Sequence, residues 1–271
     1  MTDRYAVIGQ PISHSLSPRI HTLFAQQVGV WLCYEAVEIS PDRLHVMLPR
    51  LHSEHYLGLN VTLPHKSTVA SQCEALSARA QAAGAVNTLI RTPSGWRGDN
   101  TDGEGLIRDL DRLQVGIEGR RVLILGAGGA TRGIIVPLLA RKPKELVISN
   151  RTPWRPEELA KAFHGHGPVR PCTHLALKGD RFDLVINATS AGLKGVVPRL
   201  PEGVFAAGGT AYDLSYGKAA LPFREWAKVH RAAIVSDGLG MLVEQAAAAF
   251  ELWRGVRPET AGVLASLKAT S

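Results

Sequence analysis

The run Arg121-Val122-Leu123-Ile124-Leu125 passes straight into Gly126-Ala127-Gly128-Gly129-Ala130, and an apolar helical pattern over Ile134 to Leu139 follows. A short, continuously apolar strand is buried on both faces, which places it inside a parallel sheet covered by helices. Gly126 permits the tight turn out of such a strand, and Gly128 lets backbone approach a pyrophosphate. The amides at the start of the following helix can donate to its oxygens. Thr131 stands at the third position of this fingerprint, where Gly or Ala is usual, and the small Gly129 and Ala130 lie beside it. Few arrangements other than a dinucleotide-binding α/β domain bring these features together in this order.

The next strand, Glu145 to Ser149, ends in Asn150-Arg151-Thr152. An NAD-binding domain usually carries an acid here to hold the ribose 2′-hydroxyl, and none is present. A guanidinium instead grips a 2′-phosphate through charge-assisted bonds, and Arg155 adds a second positive group. The pattern predicts NADP as cofactor. A plain solvated arginine is the alternative at both positions.

With 271 residues the chain has room for more than this one domain. Strands are expected at 5–10, 33–39 and 56–63, and helices at 17–29, 41–52 and 74–83, the first opening on Ser17-Pro18. Val86 to Arg91 and Trp96 to Asp99 flank Pro93-Ser94-Gly95 as a hairpin. A connecting helix spans Leu106 to Leu113, and beyond the cofactor motif strands are expected at 183–187, 210–214 and 232–235. From Leu239 the chain turns helical again, with a last helix after Pro258. The predicted fold class is α/β. An N-terminal α/β substrate domain (1–101) precedes an inserted Rossmann-type domain (102–238), and C-terminal helices (239–271) return to the first.

The remaining composition excludes several classes of function. The start of the chain lacks the charged, apolar and small-residue succession of a secretion signal, so a cytoplasmic enzyme is expected. Val122–Leu139 and Leu239–Trp253 are interrupted by glycines, Arg132, Pro137 and Glu244, which argues against a membrane span. Cys33, Cys73 and Cys172 are far apart and lack metal-ligand spacing, so reduced thiols and no metal are expected. The net charge of +7 comes from scattered Lys and Arg without a nucleic-acid-binding motif, and favours small anionic ligands. Monomer and homodimer remain open.

Two further groups of polar residues carry chemistry. Gln10-Pro11-Ile12-Ser13-His14-Ser15-Leu16-Ser17-Pro18 puts two hydroxyls at a strand-to-helix junction, where they can bind a carboxylate or merely cap the helix. Asn60-Val61-Thr62-Leu63-Pro64-His65-Lys66 ends a strand in polar groups, and Asn87-Thr88 and Asn100-Thr101-Asp102-Gly103 supply more. A lysine beside a polyhydroxy substrate can give the proton that a ketone reduction needs, with a carboxylate to hold it. As isolated residues, Lys66 and Asp102 are equally consistent with surface charges.

Together with Asn187-Ala188-Thr189-Ser190-Ala191-Gly192, Tyr212-Asp213-Leu214-Ser215-Tyr216 and Asp237-Gly238-Leu239-Gly240-Met241-Leu242-Val243-Glu244-Gln245-Ala246, these segments resemble shikimate dehydrogenase from Tyr5 to about Leu267. The resemblance implies reversible NADPH-dependent reduction of 3-dehydroshikimate. It places Ser15 and Ser17 at the substrate carboxylate, and Asn60, Thr62, Asn87, Asp102 and Gln245 around the ring hydroxyls, with Tyr216 among the substrate contacts. Lys66 is the implied acid-base group, paired with Asp102. Gly126, Ala127, Gly128, Gly129 and Ala130 would hold the pyrophosphate. Asn150, Arg151, Thr152 and Arg155 would hold the adenosine phosphate end, and Thr189, Leu214 and Gly238 would lie near the ribose and nicotinamide. The chain departs from the commonest family pattern at Ala191, Leu214 and His65, where serine, methionine and an aromatic are frequent. A dual quinate/shikimate enzyme shares nearly every motif but should tolerate NAD, against which Arg151 argues. A non-catalytic NADPH-binding module would be expected to lack Lys66 or Asp102, and both are present. Whether Lys66 carries the proton or only stabilises charge stays open, because Asp102 favours the charged lysine while desolvation beside a nicotinamide opposes it.

Overall fold

A computed structural model describes residues 2–269. Met1, Thr270 and Ser271, at the ends of the first and last expected segments, lie outside the described residues. The chain divides into two compact units, residues 1–106 with 242–271, and residues 107–241.

The first unit runs β1 (Asp3–Gly9), α1 (Ser17–Val28), β2 (Leu32–Glu38), α2 (Leu44–Ser53), β3 (Tyr56–Val61), α3 (Lys66–Ala70), β4 (Ala75–Leu76), α4 (Ala78–Ala83), β5 (Thr88–Arg91) and β6 (Trp96–Asp99). Its sheet has the order β2-β1-β3-β5-β6-β4, with β1 parallel to both neighbours and β5 antiparallel to β3 and β6. In β1, Ala6 and Ile8 join a core with Leu44, Leu48, Leu59 and Leu89, while Tyr5 and Val7 join Ile12 and Tyr34 on the other side. Period-2 alternation with apolar residues on both faces is what a sheet covered on both sides requires.

Two expectations in this unit are corrected. The segment 74–83 is not one helix: Ala75 and Leu76 pair with Arg97 and Gly98, and only then does α4 begin. Ser77 makes the break, since its hydroxyl accepts from the Ala80 amide at 3.2 Å and donates to Asp99 Oδ1 at 2.6 Å. The connecting helix α5 (Asp102–Arg112) starts four residues earlier than the apolar pattern from Leu106 implies, because Asn100 Oδ1 accepts from the Asp102 amide at 3.1 Å and turns the chain into the helix.

The second unit holds β7 (Arg121–Leu125), α6 (Gly129–Ala140), β8 (Glu145–Asn150), α7 (Trp154–Ala162), β9 (Val169–Thr173), β10 (Phe182–Asn187), β11 (Phe205–Asp213), α8 (Leu221–Val229) and β12 (Ile234–Ser236). All six strands are parallel in the order β12-β11-β10-β7-β8-β9. Counted within the unit this is 3-2-1-4-5-6, the doubly wound order of a dinucleotide-binding domain, whose ligand site lies where the order reverses, beyond the carboxyl ends of β7 and β10. Leu123 and Leu125 pack with Val185, Phe205 and Phe223, so the apolar run is a central strand. The helices α9 (Leu239–Arg254) and α10 (Ala261–Lys268) close the chain, most of α9 and all of α10 belonging to the first unit. No helix among the described residues is long and apolar enough to cross a membrane.

Candidate active site

In the first unit, Lys66 opens α3 just after the end of β3, and Asp102 opens α5. Their side chains meet at 2.6 Å between Nζ and Oδ2, with the carboxylate 5% and the lysine 16% exposed. The second carboxylate oxygen accepts from Asn87 Nδ2 at 2.8 Å. That amide nitrogen also lies 2.9 Å from Thr101 Oγ1 and 3.2 Å from Gln245 Oε1, and Asn87 Oδ1 accepts from the Thr101 amide at 2.8 Å and the Thr88 hydroxyl at 2.8 Å. Gln245 is fixed in turn by donation to Leu242 O at 2.8 Å. A buried polar network satisfied in this way holds each member to one rotamer and leaves the lysine as its partly open end.

Asn60 joins the same cluster, its Nδ2 reaching Asn87 O at 3.3 Å and Thr88 Oγ1 at 3.4 Å. Ser15 Oγ accepts from the Ser17 amide at 3.3 Å, which ties the two serines at the start of α1. Ser17 does not act as the helix cap, because Leu16 holds that position and no side chain bonds there. Thr62 is half-buried just past β3, its amide donating to Ile8 O at 2.9 Å. His65 is fully buried and meets Ile39 O at 2.7 Å, so the residue departing from the family pattern ties the chain just before Lys66 to the backbone just after β2. The sequence names Thr88 and Thr101 only as polar groups of their motifs, without a role, and gives no sign of Tyr34. Their weight comes from the Asn87 and Asn60 bonds, which only the folded strands create.

In the second unit, Gly126 has φ +105°, and a Cβ there would lie 3.0 Å from Ala188 O, so the turn out of β7 requires glycine. Thr131 is fully buried and donates to Gly126 O at 2.9 Å: the departure at the third fingerprint position becomes a hydroxyl that pins the loop. Gly128 faces open space, with nothing within 4 Å of where a Cβ would stand, and Ala127, Gly129 and Ala130 lie beside it. This open, amide-lined loop fits a pyrophosphate.

At the end of β8, Asn150 donates to Thr152 O at 3.2 Å, while Arg151 and Arg155 are exposed. The Arg155 guanidinium lies 5.4 Å from the Trp154 ring centroid. Beyond β10, Thr189 donates to Asn187 Oδ1 at 2.8 Å, and Asn187 donates to Asp213 Oδ2 at 2.9 Å. Burial first, then repulsion from Asp237, raises the Asp213 carboxyl to about 6 against the pull of its hydrogen bonds from Ser215 and Asn187. Leu214 and Gly238 lie together: a Cβ on Gly238 would come within 2.3 Å of Leu214 O. Tyr216 follows Leu214 and belongs to this second unit, whereas Lys66 and its partners belong to the first. Among the described residues no group of His, Cys, Asp and Glu could hold a metal ion.

Three family models cover this chain. One described as the shikimate dehydrogenase substrate binding domain matches residues 7–89, one described as shikimate/quinate 5-dehydrogenase matches 110–197, and a shikimate 5′-dehydrogenase C-terminal domain matches 238–268. The shikimate dehydrogenase (NADP(+)) of Methylococcus capsulatus is 51% identical over 269 residues, 98% of this chain and 96% of that protein. The chain belongs to the shikimate dehydrogenase family. A second relative of that name, from Aromatoleum aromaticum, is 50% identical over 98% of this chain and 97% of its own length. The shikimate dehydrogenase fold extends over the whole chain: the shikimate 5-dehydrogenase of Thermus thermophilus, solved in complex with NADP(H) and shikimate, superposes with a TM-score of 0.85 at 32% identity and covers 100% of both chains.

Proposed function

We propose that this chain is an NADP-dependent shikimate dehydrogenase, interconverting 3-dehydroshikimate and shikimate. The first unit acts as the substrate domain and the second as the NADP domain. The observation that carries this reading is the Lys66–Asp102 pair at 2.6 Å, held by Asn87, which in turn meets Gln245. A cation on a fixed arm, bordered by hydroxyl and amide groups, suits a polyhydroxy ring with one carbonyl.

Ser15 and Ser17 receive the carboxylate, and Asn60, Thr62, Asn87, Asp102 and Gln245 surround the ring hydroxyls. Tyr216 is a further substrate contact. The loop Gly126–Ala130 holds the pyrophosphate, and Asn150, Arg151, Thr152 and Arg155 hold the 2′-phosphate end. Thr189, Leu214 and Gly238 border the ribose and nicotinamide. When bound, NADPH supplies the hydride that reduces the ring carbonyl carbon. Lys66, oriented by Asp102, stabilises the carbonyl oxygen as it gains negative charge and delivers a proton to it; the amine then recovers a proton from water. In the oxidative direction the same lysine accepts the hydroxyl proton.

The test follows nicotinamide absorbance with shikimate or quinate, each offered NADP or NAD. Turnover should be largest for shikimate with NADP, and equal rates with quinate or with NAD would overturn the assignment.

A further inference from the structure

Arg257 stands in the turn between α9 and α10, outside every motif that the proposed function uses, yet it is only 22% exposed. Its guanidinium donates to Glu104 Oε1 at 2.7 Å and to Glu251 Oε2 at 3.1 Å from Nη1, and to Glu244 Oε2 at 3.3 Å from Nη2. Thr260 donates to the other Glu244 oxygen at 2.5 Å. Glu104 lies in the first turn of α5, and its second oxygen accepts from Arg79 Nη1 at 2.9 Å. Arg79, on α4, also donates to Asp99 Oδ1 at 2.6 Å, at the end of β6. All of these residues belong to the first unit.

The contacts fall on the two helices that carry Asp102 and Gln245. Asp102 opens α5 two positions before Glu104, and Gln245 follows Glu244 in α9. At about 100° per residue, Asp102 and Glu104 project from nearly opposite sides of α5, and Gln245 lies little more than a quarter turn from Glu244. On the site side the helices meet through Asn87, whose Nδ2 bonds Asp102 at 2.8 Å and Gln245 at 3.2 Å. On the other side Arg257 joins them through Glu104 and Glu244. A rotation of α5 by about 10° moves an atom at the outer radius of the helix by about 1 Å, more than the spread of lengths over which a hydrogen bond is kept. The bonds of Asp102 to Lys66 and Asn87 therefore need α5 fixed in rotation as well as in place. An isolated surface ion pair would do this weakly, whereas Arg257, Glu104 and Glu244 are 22%, 29% and 13% exposed and form a linked set.

We propose that Arg257 is a positioning residue for the reaction: by clamping Glu104 to Glu244 it fixes the rotation of α5 and α9, and so the places of Asp102 and Gln245 against the substrate. This rests on the roles given to Asp102 and Gln245 under the proposed function. Arg257 acts through the two helices rather than on the substrate.

The experiment measures steady-state kinetics and the denaturant midpoint for variants of the full-length enzyme. Arg257→Met keeps the apolar stem and removes the clamp. It should lower kcat about 5- to 50-fold, as a misplacement of about 1 Å in a catalytic group does, and raise shikimate KM about 3- to 10-fold, with NADP KM within about 2-fold of wild type. Glu251→Gln loses only the contact that leaves Glu104 and Glu244 joined, and should keep both constants within about 2-fold. Arg254→Met unties the last residue of α9 from Asp3 of β1, and should lower the midpoint while leaving kcat and shikimate KM near wild type. The double variant Arg257→Met with Glu104→Gln should be no slower than the slower single by more than about 2-fold, because both break one link. Normal kinetics in Arg257→Met, an equal kinetic loss in Arg254→Met, or a double variant that shows the product of the singles overturns the clamp. If Asp102→Asn and Gln245→Ala both leave shikimate turnover intact, the substrate reading itself fails. Should Arg257→Met fold poorly, Glu244→Gln carries the test: it should lower kcat/KM for shikimate about 3-fold or more, and an unchanged value overturns the clamp.

Discussion

Asp102 divides its oxygens between two donors, Lys66 at 2.6 Å and Asn87 at 2.8 Å, and is almost fully buried. An asparagine in its place must turn one NH₂ hydrogen toward a donor, which breaks one of the two bonds whichever way the amide faces. Lys66→Ala should lower kcat by about 10²- to 10⁴-fold, the usual weight of an acid-base group, with much less effect on shikimate KM. Asp102→Asn should lower kcat as well, because the ammonium loses its orienting charge, while NADP KM stays near wild type. Steady-state kinetics of the two variants provide the check, and near-normal turnover in Lys66→Ala removes that lysine from the reaction. Ser15→Ala and Ser17→Ala should each raise shikimate KM about 5- to 100-fold, as expected for hydrogen bonds to a carboxylate, and leave NADP KM almost unchanged. Equal loss for both ligands would instead mark a structural role, such as the bond from the Ser17 amide to Ser15 Oγ.

Where the ends of elements carry the chemistry, the outcome depends on whether the signal is local. The turn after β7 is a local event: a positive φ, a short apolar strand before it and a helix after it. It was therefore legible in the sequence, as was the hairpin of β5 and β6 around Pro93-Ser94-Gly95. The strand at Ala75–Leu76 was not, because nothing in those two residues is strand-like until Arg97 and Gly98 of β6 lie beside them. Tyr34 escaped for the same reason, since the Tyr34–Asn60 bond joins residues 26 apart through a register that no short pattern encodes. At the end of β8 the absent acid was legible, and its consequence is testable. Arg151→Ala should raise NADP KM about 10-fold or more and leave NAD kinetics nearly unchanged, because only NADP has a 2′-phosphate to lose. Arg151→Asp should go further, adding repulsion toward the phosphate and an acceptor for a free 2′-hydroxyl. Impairment of both cofactors alike in Arg151→Ala would reassign that arginine to bracing the loop. Thr131→Val tests the pin on the glycine loop. Losing the bond to Gly126 O should cost about 1 kcal/mol of stability by denaturant unfolding and leave shikimate KM untouched.

Over the whole molecule, each unit buries a titratable group whose proton affinity changes on folding, and these two changes have opposite consequences for stability. In the first unit, burial holds His21 neutral and lowers its pKa to about 3, only partly opposed by Asn60. The unfolded chain, with a histidine near 6.5, then binds the extra proton throughout the interval between these values. Stability of this unit must fall as pH drops from about 6.5 toward 3, by at most about 1.4 kcal/mol per pH unit from this residue. In the second unit, burial raises the Asp213 carboxyl to about 6, and here the folded state binds the extra proton between about 4 and 6. Its contribution is therefore full at low pH and is lost as pH rises through 6. Between pH 4 and 6 these two groups push the stability of their units in opposite directions, a contrast that one melting curve for the whole chain averages away. Hydrogen exchange followed by peptide separates them. On lowering pH from 6.5 to 4, and after correction for intrinsic exchange rates, protection of β1 and β3 should fall relative to β7 and β10. His21→Phe, which keeps a flat ring against Tyr34, should remove the acid sensitivity of the first pair, and Asp213→Asn should flatten the response of the second. Parallel behaviour of all four strands in wild type, unaltered by either substitution, would show that neither buried group governs the pH dependence of its unit.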